Sequence, residues 1–156
     1  LKKSHHQYPM DRNYGGIYSS GVTVFRENEE TGYKLSVNPW QVNMIAVAGI
    51  NHPKTVTEGD QERIVPELIE GAKNKIRTIY RIAIDNGQRN LVLGALGCGA
   101  FRNPPKHVAE LFKEVLSEEE FKGAFSRICF AIKKNHRSSN GENYLAFAKV
   151  FNGFTV

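Results

Sequence analysis

The spacing of apolar residues divides the chain into alternating strands and helices. Apolar runs and apolar–polar alternation predict strands over residues 17–26, 42–50, 90–96 and 125–132. Apolar residues three and four positions apart predict helices over residues 61–86, 105–116 and 142–151. The order β–β–α–β–α–β–α favours a largely parallel sheet with helices packed over it.

The longest predicted helix has a single apolar stripe, which we expect to face the core rather than a cofactor. Thr57 or Asp60 is a candidate N-cap, Pro66 is tolerated only in an early turn, and Gly87 suits the C-terminal end. Residues 54–61 before it are predicted to form a polar loop. The last helix carries Tyr144, Leu145, Ala148 and Phe151.

Composition indicates one domain of 156 residues with enough apolar residues, 40%, for a core. The net charge of +5 favours anionic partners without choosing among them. Cys98 and Cys129 make neither a disulfide framework nor a zinc site. With no signal-peptide pattern and no run of membrane length, we expect an intracellular protein with no membrane partner.

A glycine-rich loop follows the strand Leu91, Val92, Leu93 and leads into the second helix. Glycine has no Cβ, so Gly94, Gly97 and Gly99 allow tight turns and close approach to a ligand. Successive free N–H groups next to a helix N-terminus, where Pro104 and Pro105 fit the first turn, suit a phosphate. The loop therefore predicts a nucleotide or a similar diphosphate as ligand, although the glycines alone also fit a tight turn with no ligand.

Two familiar phosphate-binding patterns do not match this loop. Gly94, Gly97 and Gly99 lack the spacing of the dinucleotide fingerprint, and no acidic residue stands where that fingerprint places its ribose ligand. A Walker loop needs Gly-Lys-Ser/Thr, whereas Ala100 follows Gly99. An NAD or NTP enzyme with an atypical loop is therefore the weakest of the hypotheses.

The segment GALGCGAFRNPPKHVAELFKEVL closely resembles the second phosphate loop and following helix of the microbial poly(ADP-ribose) glycohydrolase branch of macrodomains. The segments at 17–26, 45–51 and 143–151 are similar to other parts of that family, in the family's order. The resemblance covers roughly residues 14–152. It implies an α/β fold, a macrodomain-like three-layer α/β/α sandwich with a mixed, mostly parallel sheet whose first strands are missing from this chain.

The resemblance implies that the ligand is ADP-ribose or poly(ADP-ribose), bound without a metal or cofactor. Backbone N–H groups of the loop would wrap the diphosphate, Phe101 would pack on the distal ribose and Asn103 would sit at the rim. The alternative for Phe101 is that it is an aromatic residue of the core. The alternative for Asn51 is that it is a turn or cap residue. The implied ligand-binding residues are Gly94, Leu96, Gly97, Cys98, Gly99, Ala100, Phe101, Asn103 and Asn51.

The family's catalytic signature, a triple-glycine loop followed by Gln-Glu-Glu, does not occur in this sequence. Cleaving a ribosyl bond calls for a carboxyl group that protonates the leaving oxygen, and the resemblance places the glutamate for that role upstream of Leu1. We therefore expect residues 1–156 to form one domain incomplete at its N-terminal side, inactive alone and completed by an N-terminal segment of the same protein. A short macrodomain that binds ADP-ribose without cleaving it is the alternative explanation.

A basic nucleic-acid-binding α/β domain is the alternative function. Its support is the positive net charge and the basic run of Lys133, Lys134, His136 and Arg137. The first two predicted helices carry the acidic residues Glu67, Glu70, Glu110 and Glu114, so the basic residues of the chain form no continuous stripe. We therefore expect no direct contact with nucleic acid.

Overall fold

The computed structural model describes residues 10–133 and 141–155, which form an α/β domain. Two short 3-10 turns, at Glu29–Thr31 and Glu119–Phe121, lie between the longer elements. The strands are β1 (Ile17–Arg26), β2 (Leu35–Ala46), β3 (Thr55–Glu58), β4 (Gln61–Ile64), β5 (Asn90–Leu93) and β6 (Arg127–Phe130). The helices are α1 (Pro66–Asp85), α2 (Pro105–Leu116) and α3 (Glu142–Phe151).

The strands pair as three two-stranded sheets within the described residues. β1 and β2 are antiparallel, β3 and β4 form an antiparallel hairpin, and β5 and β6 are parallel. The predicted α/β class is confirmed. The single, mostly parallel sheet is not formed, because no described strand joins β2 to β5.

The start of the longest helix differs from the prediction. Residues 61–64 form β4, and residues 55–58, expected in a polar loop, form β3. Gly59 has φ +63°, which suits the two-residue turn of this hairpin, so Thr57 and Asp60 cap no helix. Pro66 is the first helical residue, because a proline deeper in a helix would clash with the preceding turn.

The second strand also differs, since β2 ends at Ala46 and begins at Leu35 rather than at residue 42. Its first half pairs with β1 and leaves Leu35, Val37 and Trp40 exposed. A burial pattern therefore could not reveal it, because pairing with β1 rather than burial holds this segment in place.

The core lies between the helices and the inner faces of the short strands. The apolar residues at three- and four-residue spacing are buried in both longer helices, namely Ala72, Ile76, Ile79, Tyr80 and Ala83 in α1 and Val108, Leu111, Phe112 and Val115 in α2. In α3 the buried residue is Phe147, whereas Tyr144 and Leu145 are exposed. Tyr80 makes ring contacts with three neighbours, namely Phe112, Phe121 and Phe125. These contacts pack α1 against α2 and against the segment between α2 and β6.

A buried histidine ties the β3–β4 hairpin to α2 and predicts a pH-dependent stability. The Nδ1 atom of His107 accepts a 2.9 Å hydrogen bond from the Ile64 N–H, and the side chain is buried. Burial, reinforced by the nearby Arg63 cation, lowers the pKa of His107 below its usual value. The folded state therefore disfavours the protonated ring, so this contribution is intact above about pH 6.5 and is lost as the pH falls.

We expect the free energy of unfolding, measured by urea titration, to fall between pH 7.5 and pH 5.5. His107→Gln keeps an acceptor for the Ile64 N–H but does not titrate, so this variant is expected to lose most of that pH dependence. A variant that kept the full dependence would assign the effect to other groups.

Candidate functional site in the loop between β5 and α2

The glycine loop runs from Gly94 to Pro104 and lies between β5 and α2. In the strand before the loop Leu91 is buried, as predicted, whereas Val92 is exposed. The two prolines begin the helix after the loop, as predicted. Hydrogen bonds from the Cys98 N–H to the Ala95 carbonyl and from the Arg102 N–H to the Gly99 carbonyl fold the loop back on itself. These hydrogen bonds fix the path of the loop backbone.

Gly97 is the glycine that the fold requires most strictly. It has φ +72°, a conformation that L side chains rarely adopt. A Cβ built at Gly97 would lie 2.5 Å from Nδ2 of Asn103, and one built at Gly49 would lie 2.9 Å from Cα of Gly97. At Gly49 and Gly97 the loop after β2 and the loop after β5 consequently touch backbone to backbone.

Asn103 lies beneath the loop rather than at its rim, where we expected it. Its side chain is 4% exposed, and its Nδ2 donates to three carbonyls at 2.7, 3.0 and 3.3 Å, those of Ile50, Gly97 and Phe101. Its own N–H donates to the Gly97 carbonyl. Since these bonds occupy its NH₂ group, Asn103 holds the loop in shape from beneath.

Three consecutive N–H groups of the loop, those of Gly99, Ala100 and Phe101, have no acceptor among the described residues. Gly99 and Ala100 are exposed, and a Cβ at Gly99 would meet nothing within 4 Å. The Cys98 N–H is taken by Ala95, and the Gly97 nitrogen packs against Gly49. The consecutive open donors on the exposed part of the loop therefore lie at 99–101, and such a row of amides attracts an anion.

The predicted site residues outside this row lie close to it. The His52 N–H donates to the Phe101 carbonyl, which brings Asn51 beside the loop, and Oδ1 of Asn51 is 2.6 Å from Nδ1 of His52. The Phe101 ring is 37% exposed, so it is not a core aromatic. Leu96 is half-buried below the loop, and Gly94 is exposed where the loop begins.

Cys98 is a packing residue in this loop. Burial raises the pKa of its thiol to about 12, and its Sγ lies 3.5 Å from the Leu96 carbonyl. The thiol is therefore protonated at neutral pH and a poor nucleophile.

Two residues that the sequence did not single out also shape the site. Gly49 allows the contact between the loops, and Asn143 of α3 donates from Nδ2 to the Cys98 carbonyl at 3.4 Å. For Gly49, the sequence signal that could have been used is a glycine two positions before the predicted site residue Asn51. Nothing in the sequence pattern marks the second, because it depends on how α3 packs.

The resemblance implies a catalytic glutamate that is not among the residues of this sequence. It is expected upstream of Leu1, and Leu1 itself lies outside the described residues. The hydrogen bonds and ion pairs of the described carboxylates involve none of the residues 94–104. The position of a catalytic carboxyl group ahead of this chain therefore stays a prediction.

The described residues contain no cluster of three or more His, Cys, Asp or Glu side chains that could hold a metal ion. In the described part of the chain, no helix has the length and apolar character needed to cross a membrane. Lys133 of the basic run pairs with Glu29 at 3.1 Å. Lys134, His136 and Arg137 lie outside the described residues.

Comparison with known proteins gives matches among solved structures. Poly(ADP-ribose) glycohydrolase (PARG) from Deinococcus radiodurans in complex with ADP-ribose is 31% identical, with a TM-score of 0.73, over 90% of this chain and 53% of that one. PARG from Thermomonospora curvata is 30% identical, with a TM-score of 0.69, over 90% of this chain and 49% of that one. This chain thus spans about half the length of these structures. No protein-family profile and no curated protein sequence matches it significantly.

Proposed function

We propose that this chain, a PARG-like domain, binds ADP-ribose with the diphosphate on the open N–H groups of residues 99–101. The row of unpaired amides is the single observation that carries the proposal, because three neighbouring donors without an acceptor suit an anion such as a diphosphate. The similar Deinococcus structure is a complex with ADP-ribose, which supports the same ligand here. A nucleic-acid-binding function is not favoured by these relatives.

The other predicted contacts follow from the position of the loop. We propose that Phe101 packs its half-exposed ring against a ribose and that Asn51, held beside the loop through His52, contacts the same ligand. Gly97 and Asn103 act through the backbone that they hold. Cys98 contributes through its place in the loop rather than through its thiol.

The chemistry we propose for this chain is binding without turnover. The sequence contains neither a triple-glycine loop nor Gln-Glu-Glu, and no carboxyl group is assigned to protonating the leaving oxygen. We therefore expect no release of ADP-ribose from poly(ADP-ribose) by this chain alone. The hydrolase activity named for the relatives requires groups beyond those in this loop.

The decisive test is Gly99→Ala, read out by isothermal titration calorimetry with ADP-ribose. The added methyl meets no protein atom within 4 Å, so we expect the free energy of unfolding to be unchanged. The methyl stands beside the open amides, so we expect ADP-ribose affinity to fall by about tenfold or more through loss of charge-assisted hydrogen bonds. AMP, which lacks the diphosphate, is expected to bind the wild-type chain about tenfold more weakly or worse.

Gly71→Ala on α1 is the matched control, because it adds the same methyl away from the loop and leaves affinity unchanged. Absence of ADP-ribose binding at millimolar concentration by the folded chain would contradict the proposal. Equal affinity for AMP and ADP-ribose would contradict the role given to the amides.

A further inference from the structure

A groove of about 570 Å³ lies next to the glycine loop and is lined by three elements. The β3–β4 hairpin contributes residues 60–62, the first turn of α2 contributes Pro105 and Lys106, and α3 contributes four residues between Glu142 and Lys149. Pockets that bind small molecules measure about 300–1,000 Å³. The groove is therefore large enough for a nucleotide, and none of its lining residues belongs to the site proposed above.

Both helices that line the groove also contact the glycine loop or continue from it. Pro105 of α2 directly follows the loop, and Asn143, at the start of α3, donates from Nδ2 to the Cys98 carbonyl at 3.4 Å. Lys106 comes five positions after Phe101, and five residues of chain span at most about 18 Å. A long ligand that is anchored on the open amides of the loop therefore reaches the groove with the part that follows the anchor.

The groove carries charges of both signs that do not pair with one another. The side chains of Lys106 and Lys149 make no ion pair or hydrogen bond with any described residue. The same is true of the carboxylates of Asp60 and Glu142 within the described part of the chain. Opposite charges that line one groove without touching leave room for a ligand that offers an anion to the lysines and hydrogen-bond donors to the carboxylates.

A nucleotide unit presents all the groups that this groove complements. Its phosphates pair with the ammonium groups of lysines, and its ribose hydroxyls donate to carboxylates, as in sites where Asp or Glu binds a ribose. Leu145 is 57% exposed and Ala146 follows it in the lining, so apolar surface is open to the face of a base. An inorganic anion would use the lysines alone, and a metal ion would use the carboxylates alone.

We propose that this groove binds the neighbouring unit of poly(ADP-ribose) when one unit of the polymer lies on the amides of residues 99–101. The inference rests on the proposed function, because the loop supplies the first anchor. Each unit of the polymer repeats the base, the riboses and the diphosphate, so the neighbouring unit brings the groups that the unpaired charges of the groove need. Since the two units are covalently linked, binding of the second is intramolecular and raises the overall affinity.

The test compares ADP-ribose with a poly(ADP-ribose) fragment of two units, by calorimetry on the full chain at low salt. We expect the two-unit fragment to bind about tenfold more tightly or better. NMR shifts of the backbone amides of residues 60–62 and 142–149 are expected with the fragment and not with ADP-ribose. Lys149→Gln, at an exposed position of α3, should lower the affinity for the fragment about fivefold or more and leave that for ADP-ribose unchanged.

Lys34→Gln is the matched control, because it removes the same charge from an exposed lysine outside the groove and should leave both affinities unchanged. Equal affinities for the two ligands, or a fragment affinity that Lys149→Gln does not lower, would overturn the inference and leave the proposed function intact. An oligoadenylate of matched length that binds as tightly as the fragment would overturn it in favour of a general nucleic-acid groove. Absence of binding by both ADP-ribose and the fragment would contradict the proposed function and the inference together.

Discussion

Replacing Gly97 with alanine is expected to lower the free energy of unfolding by about 3 kcal/mol. At φ +72° the methyl costs roughly 1–2 kcal/mol through its clash with the backbone. It would also lie 2.5 Å from Nδ2 of Asn103, a buried amide already held by hydrogen bonds. Displacing that amide costs about another 1–2 kcal/mol in weakened hydrogen bonds, and urea titration measures the total.

Gly32→Ala is the matched control for this prediction. Gly32 has φ +67°, close to that of Gly97, but a Cβ there would meet nothing within 4 Å. The free energy of unfolding of Gly32→Ala should therefore fall only by the cost of the backbone clash, about 1–2 kcal/mol. An equal loss of unfolding free energy in the two variants would mean that the clash with Asn103 does not contribute to the effect at Gly97.

Replacing Asn103 with alanine is expected to lower the free energy of unfolding by about 2–3 kcal/mol and to weaken ADP-ribose binding. The variant removes a donor shared by the carbonyls of Ile50, Gly97 and Phe101. Each lost hydrogen bond costs about 1 kcal/mol, and a buried carbonyl left alone costs more. The loop then loses its link to the segment after β2, so the amides at 99–101 no longer keep one arrangement.

The double variant Gly97→Ala/Asn103→Ala tests both predictions together. Since the alanine methyl at 97 clashes with the Asn103 side chain, removing that side chain also removes the clash. The loss in the double variant should fall short of the sum of the single losses by about 1 kcal/mol or more. Strict additivity, with calorimetry showing unchanged ADP-ribose affinity in Asn103→Ala, would contradict the role assigned to this residue.

The segment from β5 to α2 could be predicted closely from the sequence because its signals are local. The apolar strand, the glycines and the prolines at the helix start each act on their immediate neighbours, and α2 begins and ends where the spacing predicted. The β3–β4 hairpin was missed because the polar residues of β3 suggested a loop, and residues 61–64 of β4 were assigned to the start of the long helix. Its stability comes partly from the long-range bond between Ile64 and His107.

The role of Asn103 could not be predicted from local pattern. Ile50 lies 53 positions earlier in the chain, and their contact exists only because the loops after β2 and β5 meet. The same limit applies to the sheets. The sequence indicated four of the six described strands, but whether β2 and β5 pair depends on what lies between them in space.

The contact between Gly49 and Gly97 has a consequence for how tightly a ligand is held. Two loops that touch through backbone and share the amide of Asn103 cannot rearrange independently, so few rotations freeze when a ligand arrives. Binding then retains more of its interaction energy, because the cost in conformational entropy was met when the chain folded. The glycine loop is in this sense pre-organised before any ligand arrives.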